Sequence, residues 1–168
     1  MLSLLQHVRR SYRPYTGVLV HDAADRWRLE DPLPGKMAEP GMVIYWFGAG
    51  LFYANATFFT EQVGKLVDES PTPVRWFVID ATAITGLDFS AGRALTELQQ
   101  DLAKAGVVLA LIVVKVRRHG DLERMGLIKM IGANRIFETR EACVAAYRSG
   151  SATPSSLPAE RRSPSAAS

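Results

Sequence analysis

The chain switches between two hydrophobic rhythms, and the switches mark its elements. Met42-Val-Ile-Tyr-Trp-Phe47, Trp76-Phe-Val-Ile79 and Val107-Val-Leu-Ala-Leu-Ile-Val-Val114 are apolar at every position and rich in β-branched and aromatic residues. Runs of that kind predict strands covered on both faces, the habit of parallel or mixed sheets. Between them the period lengthens. Phe59, Val63, Leu66 and Val67 recur at i, i+4, i+7 and i+8 with Glu61, Gln62, Lys65, Asp68 and Glu69 on the other faces, predicting an amphipathic helix capped by Asn55 or Thr57 and ended by Pro71. Ala91, Ala94, Leu95, Leu98 and Leu102 make a second stripe from about Ser90, closed by Gly106.

The flanks are weaker in pattern. Gly17 to Val20 and Trp27 to Leu29 alternate apolar and polar residues around His21-Asp-Ala-Ala-Asp25, which predicts an edge strand or hairpin. Later come a short helical stretch near Gly126, a brief strand at Arg135-Ile-Phe137, and a last helix with Thr139, Ala142, Cys143, Ala146 and Tyr147. The order predicts an α/β fold: a mixed, mostly parallel sheet of four to five strands with helices packed on it.

Composition narrows the class only modestly. With 168 residues, 48% hydrophobic and 22% charged, one folded domain is the natural count. The formal charge of +3 is spread over local clusters, with no basic face interleaved with aromatics, so nucleic acid is not an expected partner. A lone cysteine excludes an internal disulfide and, set among Ala142, Val144 and Ala145, reads as a small buried hydrophobe. No segment reaches the roughly 20 apolar residues of a spanning helix. His7, His21 and His119 stand apart from carboxylates or cysteine at ligand spacing, so no metal is expected. The chain has no Walker lysine motif, no Gly-x-Ser-x-Gly elbow and no nucleophile with a base nearby, and an enzyme is the weakest reading.

Candidate chemistry gathers where strand hands over to helix. Asp88 and Ser90 follow the Trp76 strand through Gly86 and read either as helix caps or as part of an anion-contacting, regulatory surface. Lys115, Arg117 and Arg118 follow the next strand and read either as a solvated loop or as holders of a phosphate. Leu51, Phe52 and Tyr53, after Gly48-Ala-Gly50, read either as sheet-covering core or as a docking face.

Pro40-Gly-Met-Val-Ile-Tyr-Trp-Phe, Leu51-Phe-Tyr-Ala-Asn55-Ala, Val74-Arg-Trp-Phe-Val-Ile-Asp80-Ala and Asp88-Phe-Ser90 before a helix resemble the STAS domain. That fold is shared by anti-sigma-factor antagonists and the cytoplasmic tails of SulP-type sulfate permeases. The Phe-Tyr-Ala-Asn form and the opening Leu-Leu-Gln-His-Val-Arg-Arg-Ser-Tyr-Arg-Pro look like the permease branch, where such a basic segment follows the last membrane helix. The resemblance implies a basic linker over 1–16, a STAS domain over 17–149 and a disordered Ser/Ala/Pro-rich tail over 150–168. It implies a regulatory, non-catalytic domain at the cytoplasmic face of the membrane, partnered by the membrane domain of the same transporter or by a second STAS domain. A guanine or adenine nucleotide is expected near Asn55, Asp88, Ser90 and Lys115, Arg117 and Arg118. Ser90 matches the serine phosphorylated in the antagonists, although Phe89 departs from their small polar residue; a free-standing antagonist is the alternative.

Overall fold

A computed structural model describes residues 14–113 and 126–150 of the chain. Six strands form one sheet in the order β2-β1-β3-β4-β5-β6. They are β1 (Thr16–His21), β2 (Trp27–Glu30), β3 (Met42–Phe47), β4 (Trp76–Asp80), β5 (Val108–Ile112) and β6 (Ile136–Phe137). This exceeds the four to five strands expected. The hairpin reading is the one that holds, so β1 and β2 both join the sheet, and the brief strand expected at Arg135-Ile-Phe137 joins it as the two-residue β6.

β1 runs antiparallel to β2 and β3, whereas β3, β4, β5 and β6 are parallel. Parallel neighbours need long crossovers, and helices supply them: α1 (Tyr53–Asp68) between β3 and β4, and α2 (Phe89–Lys104) between β4 and β5. A short α3 (Leu127–Ile131) precedes β6, and α4 (Arg140–Arg148) follows it. No helix among the described residues is long and apolar enough to cross a membrane.

The apolar strands divide their side chains between two cores. Val43, Tyr45, Phe47, Phe77, Ile79, Leu109 and Leu111 point to one face and pack with Phe59, Val63 and Leu66 of α1, Leu95, Leu98 and Leu102 of α2, and Leu127 and Ile131 of α3. Met42, Ile44, Trp76, Val78, Val108, Ala110 and Ile112 point to the other, which α4 covers with Cys143 and Val144. Two-sided burial is the reason those strands show no alternation. Cys143 is fully buried, and burial first, then the charge of Asp80, pushes its thiol up to about 12.

Helix ends follow local chemistry in part. α2 stops in a paired turn: Gly106, at φ +75°, donates to Ala103 O, and Val107 donates to Leu102 O. Thr139 caps α4 by accepting from Ala142 N at 3.1 Å. α1 departs from expectation. It begins two residues before Asn55, with Phe52 as its N-cap residue, so neither Asn55 nor Thr57 holds the cap position.

Candidate functional site

The carboxyl ends of β3 and β4 lie side by side, Trp46 opposite Asp80, and their loops are stitched together before either helix starts. Leu51 N donates to Gly86 O at 2.9 Å, and Leu51 pairs with Leu87 in a short parallel bridge. The starts of α1 and α2 are thereby brought together over a single side chain. Asp88 Oδ1 accepts from Ala91 N at 2.8 Å, capping its own helix, while Oδ2 accepts from Tyr53 N at 2.9 Å, capping the neighbour. The positive ends of two helix dipoles thus meet one carboxylate supplied by the protein.

Asn55 completes the arrangement from below. It is 3% exposed; its Oδ1 accepts from Phe52 N at 3.0 Å and its Nδ2 donates to Gly50 O at 2.9 Å. The residue expected to contact an anion therefore directs its amide into the loop. The two glycines ahead of α1 have a concrete reason. A Cβ on Gly50 would come within 2.3 Å of the Phe52 ring, and one on Gly48 within 2.5 Å of the Trp46 ring.

Around Asp88 the surface is aromatic. Tyr53 and Phe89, each the first residue of its helix, are 78% and 77% exposed, and Phe52 is 43% exposed. Leu51 differs: it is fully buried in the core, which corrects its place on the expected docking face and leaves Phe52 and Tyr53 there, joined by Phe89. Ser90, half-buried, is the second residue of α2 beside this patch. β5 ends at this same edge, but Lys115, Arg117 and Arg118 lie outside the described residues.

One polar cluster here was not anticipated. Asp80 closes β4 fully buried, with Oδ2 accepting from Arg140 Nε at 2.8 Å and Oδ1 from Thr82 N and Oγ1 at 3.1 and 2.6 Å. Its signal in the sequence is an acid ending the run Trp76-Phe-Val-Ile79. Its partner stands 60 residues away, beyond any local window. Among the described residues no group of three or more His, Cys, Asp or Glu side chains could hold a metal ion.

A family model described as the STAS domain matches residues 36–143. The chain belongs to the STAS domain family. This STAS domain is 34% identical over 149 residues to a probable sulfate transporter of Mycobacterium tuberculosis, a match covering 88% of the chain and 26% of that protein. The chain therefore spans about a quarter of that relative's length. In structure it is similar to the murine Slc26a9 anion transporter in its inward-facing state, at TM-score 0.70 and 17% identity over 88% of this chain and 24% of that one. It is also similar to an anti-sigma factor antagonist from Mycobacterium paratuberculosis, at TM-score 0.55 and 17% identity over 80% of this chain and 95% of that one. At those identities the two structures speak for the fold alone.

Proposed function

We propose that this STAS domain is the cytoplasmic, non-catalytic regulatory part of a SulP-type anion transporter, working by docking to the membrane domain of its own protein or to a second copy. The sequence similarity to the probable sulfate transporter supports the setting. The observation that carries the regulatory role is the shared cap: one half-buried carboxylate, Asp88, ties the starts of two helices, with Ser90 two residues further along. Whatever displaces Asp88 loosens both helix starts together. A phosphoryl group on Ser90 would bring about −1.5 to −2 charges to amides that a carboxylate already holds. A guanine or adenine nucleotide phosphate entering here would compete with Asp88 in the same way.

Two measurements test the reading. In the longer transporter it implies, Asp88→Ala changes anion uptake while circular dichroism of the isolated domain stays native; unaltered uptake by the folded variant removes the regulatory role. Nucleotide titration followed by amide NMR shifts Tyr53, Ser90 and Ala91, and shifts confined to the opposite end of the sheet exclude nucleotide from this corner.

The place of Ser90 at the start of α2, two residues after the shared cap Asp88, is what favours a second reading, a free-standing antagonist switched by phosphorylation at Ser90. An anti-sigma kinase that phosphorylates the chain, and fails on Ser90→Ala, would favour it.

A further inference from the structure

α1 carries a glycine that its own fold does not ask for. Gly64 stands in the body of the helix, a turn short of its end, where glycine is among the poorest helix formers. Glycine serves inside an element when another group must come close to the backbone. Among the described residues, however, a Cβ at Gly64 would meet nothing nearer than Asp68 Oδ2, at 3.9 Å. Gly48 and Gly50 differ, since each leaves room for a ring of this chain. A local choice that weakens its helix and serves no contact in the fold marks a residue kept for something outside it.

Gly64 opens onto a groove of about 410 Å3 between α1 and α2. α1 lines it from Ala56 to Asp68 and α2 from Ala94 to Ala105, a trough about three helical turns long. Val67, Leu98 and Leu102 give the trough its apolar lining. Asp68, Glu97 and Asp101 give it three carboxylates, and no lysine, arginine or histidine lines it. Glu97 and Asp101 do reach cations of α2 itself, Arg93 at 3.5 Å and Lys104 at 2.9 Å, but both pairs are exposed to solvent. Pairs of that kind hold their partners weakly, so the carboxylates stay available to a stronger one.

We infer that this groove takes a cationic amphipathic helix of a protein partner, laid along α1 and α2 with its backbone closest at Gly64. An amphipathic helix seats its apolar stripe in a trough of this shape, and lysines or arginines flanking the stripe meet the carboxylates. Charge argues against a second copy joined groove to groove, because three carboxylates would then face three others. The inference concerns the faces of the two helices rather than the Asp88 cap at their starts, and it stands without the transporter reading.

The test is fluorescence anisotropy of the full 168-residue chain with a labelled peptide, two tandem copies of Lys-Leu-Ala-Lys-Ala-Leu-Lys, against a control with glutamate at every lysine. The lysine peptide binds and the glutamate peptide does not. Gly64→Leu, which fills the trough, weakens binding roughly tenfold. Glu97→Gln with Asp101→Asn weakens it by a similar factor and flattens its dependence on salt, while the exposure of both side chains leaves the thermal melt as in wild type. Amide NMR shifts on binding centre on Thr60, Gly64 and Ala94. Gly64→Ala, with open space for its methyl, raises the melting temperature by about 2–4 °C; a lower melting temperature shows that the fold itself needs the glycine and overturns the inference. Absence of binding by the lysine peptide overturns it too, as does equal binding of the two peptides or binding unchanged by Gly64→Leu. A wild-type dimer in sedimentation velocity that Gly64→Leu converts to monomer assigns the groove to a second copy and overturns the assignment to a cationic partner.

Discussion

Asp88 is the residue on which the most local structure depends. Replacing it with alanine removes the acceptors of Tyr53 N and Ala91 N together. With each lost cap costing about 1 kcal/mol, Asp88→Ala lowers stability by about 2 kcal/mol in urea denaturation. Asp88→Asn keeps one acceptor oxygen and loses about half of that. A single-helix cap would give Asp88→Ala no more effect than Thr139→Ala, which is the outcome that refutes the shared role. Cys143 supplies a pH signature at the same scale. Its ordinary value is near 9, and burial, then Asp80, raises it to about 12 in the fold. The folded state thus holds a proton that the unfolded state releases, so stability is full below pH 9 and declines as pH rises through about 12. Burial likewise raises Tyr45, fully buried with its hydroxyl donating to Gln62, and adds to the alkaline decline. Cys143→Ala flattens the first part of that decline in pH-dependent unfolding curves; an unchanged curve refutes the assignment.

Among the described elements, α4 is held by polar contacts at both ends. Arg140 reaches Asp80 at the strand-carboxyl side, while Tyr147 Oη donates to Pro40 O at 2.6 Å and Arg148 pairs with Glu39 at 2.5 Å at the other. Between them Glu141 accepts from Trp27 Nε1 at 2.9 Å. Arg140→Ala leaves Asp80 buried and without its cation, which costs about 3–5 kcal/mol, whereas Arg140→Met with Asp80→Leu recovers most of the loss because no isolated charge remains. Equal melting temperatures for the single and double variants would refute that account. The strands β3, β4 and β5 were legible in sequence because burial on both faces leaves no polar position to blur them. The α1 start was not, because its caps are a reciprocal bond from Asn55 and a carboxylate 35 residues away, while the cap position itself holds a phenylalanine. Asp88 as the cap of α2 was legible, since donor and acceptor lie three residues apart. β6 was legible as a brief strand, and the expected count fell one short because the alternation at Gly17 to Val20 and Trp27 to Leu29 reads equally as one edge strand or as a hairpin of two.

At the scale of the whole molecule, the sheet sets both protection and polarity. β3, β4 and β5 are paired on both sides and buried on both faces, so amide exchange is slowest there and fastest in β2 and β6, whose outer edges are unpaired in the sheet order. Protection of β2 equal to that of β4 would show the hairpin to be covered by something outside the described fold. The chain enters at Tyr15, beside the end of β3, and α4 runs back so that Arg148 meets Glu39 just ahead of the start of β3. Entry and exit are therefore at opposite poles. A fluorophore or affinity handle joined after Gly150 leaves the molecule from the pole away from the aromatic corner, and would report on what that corner touches without standing in its way.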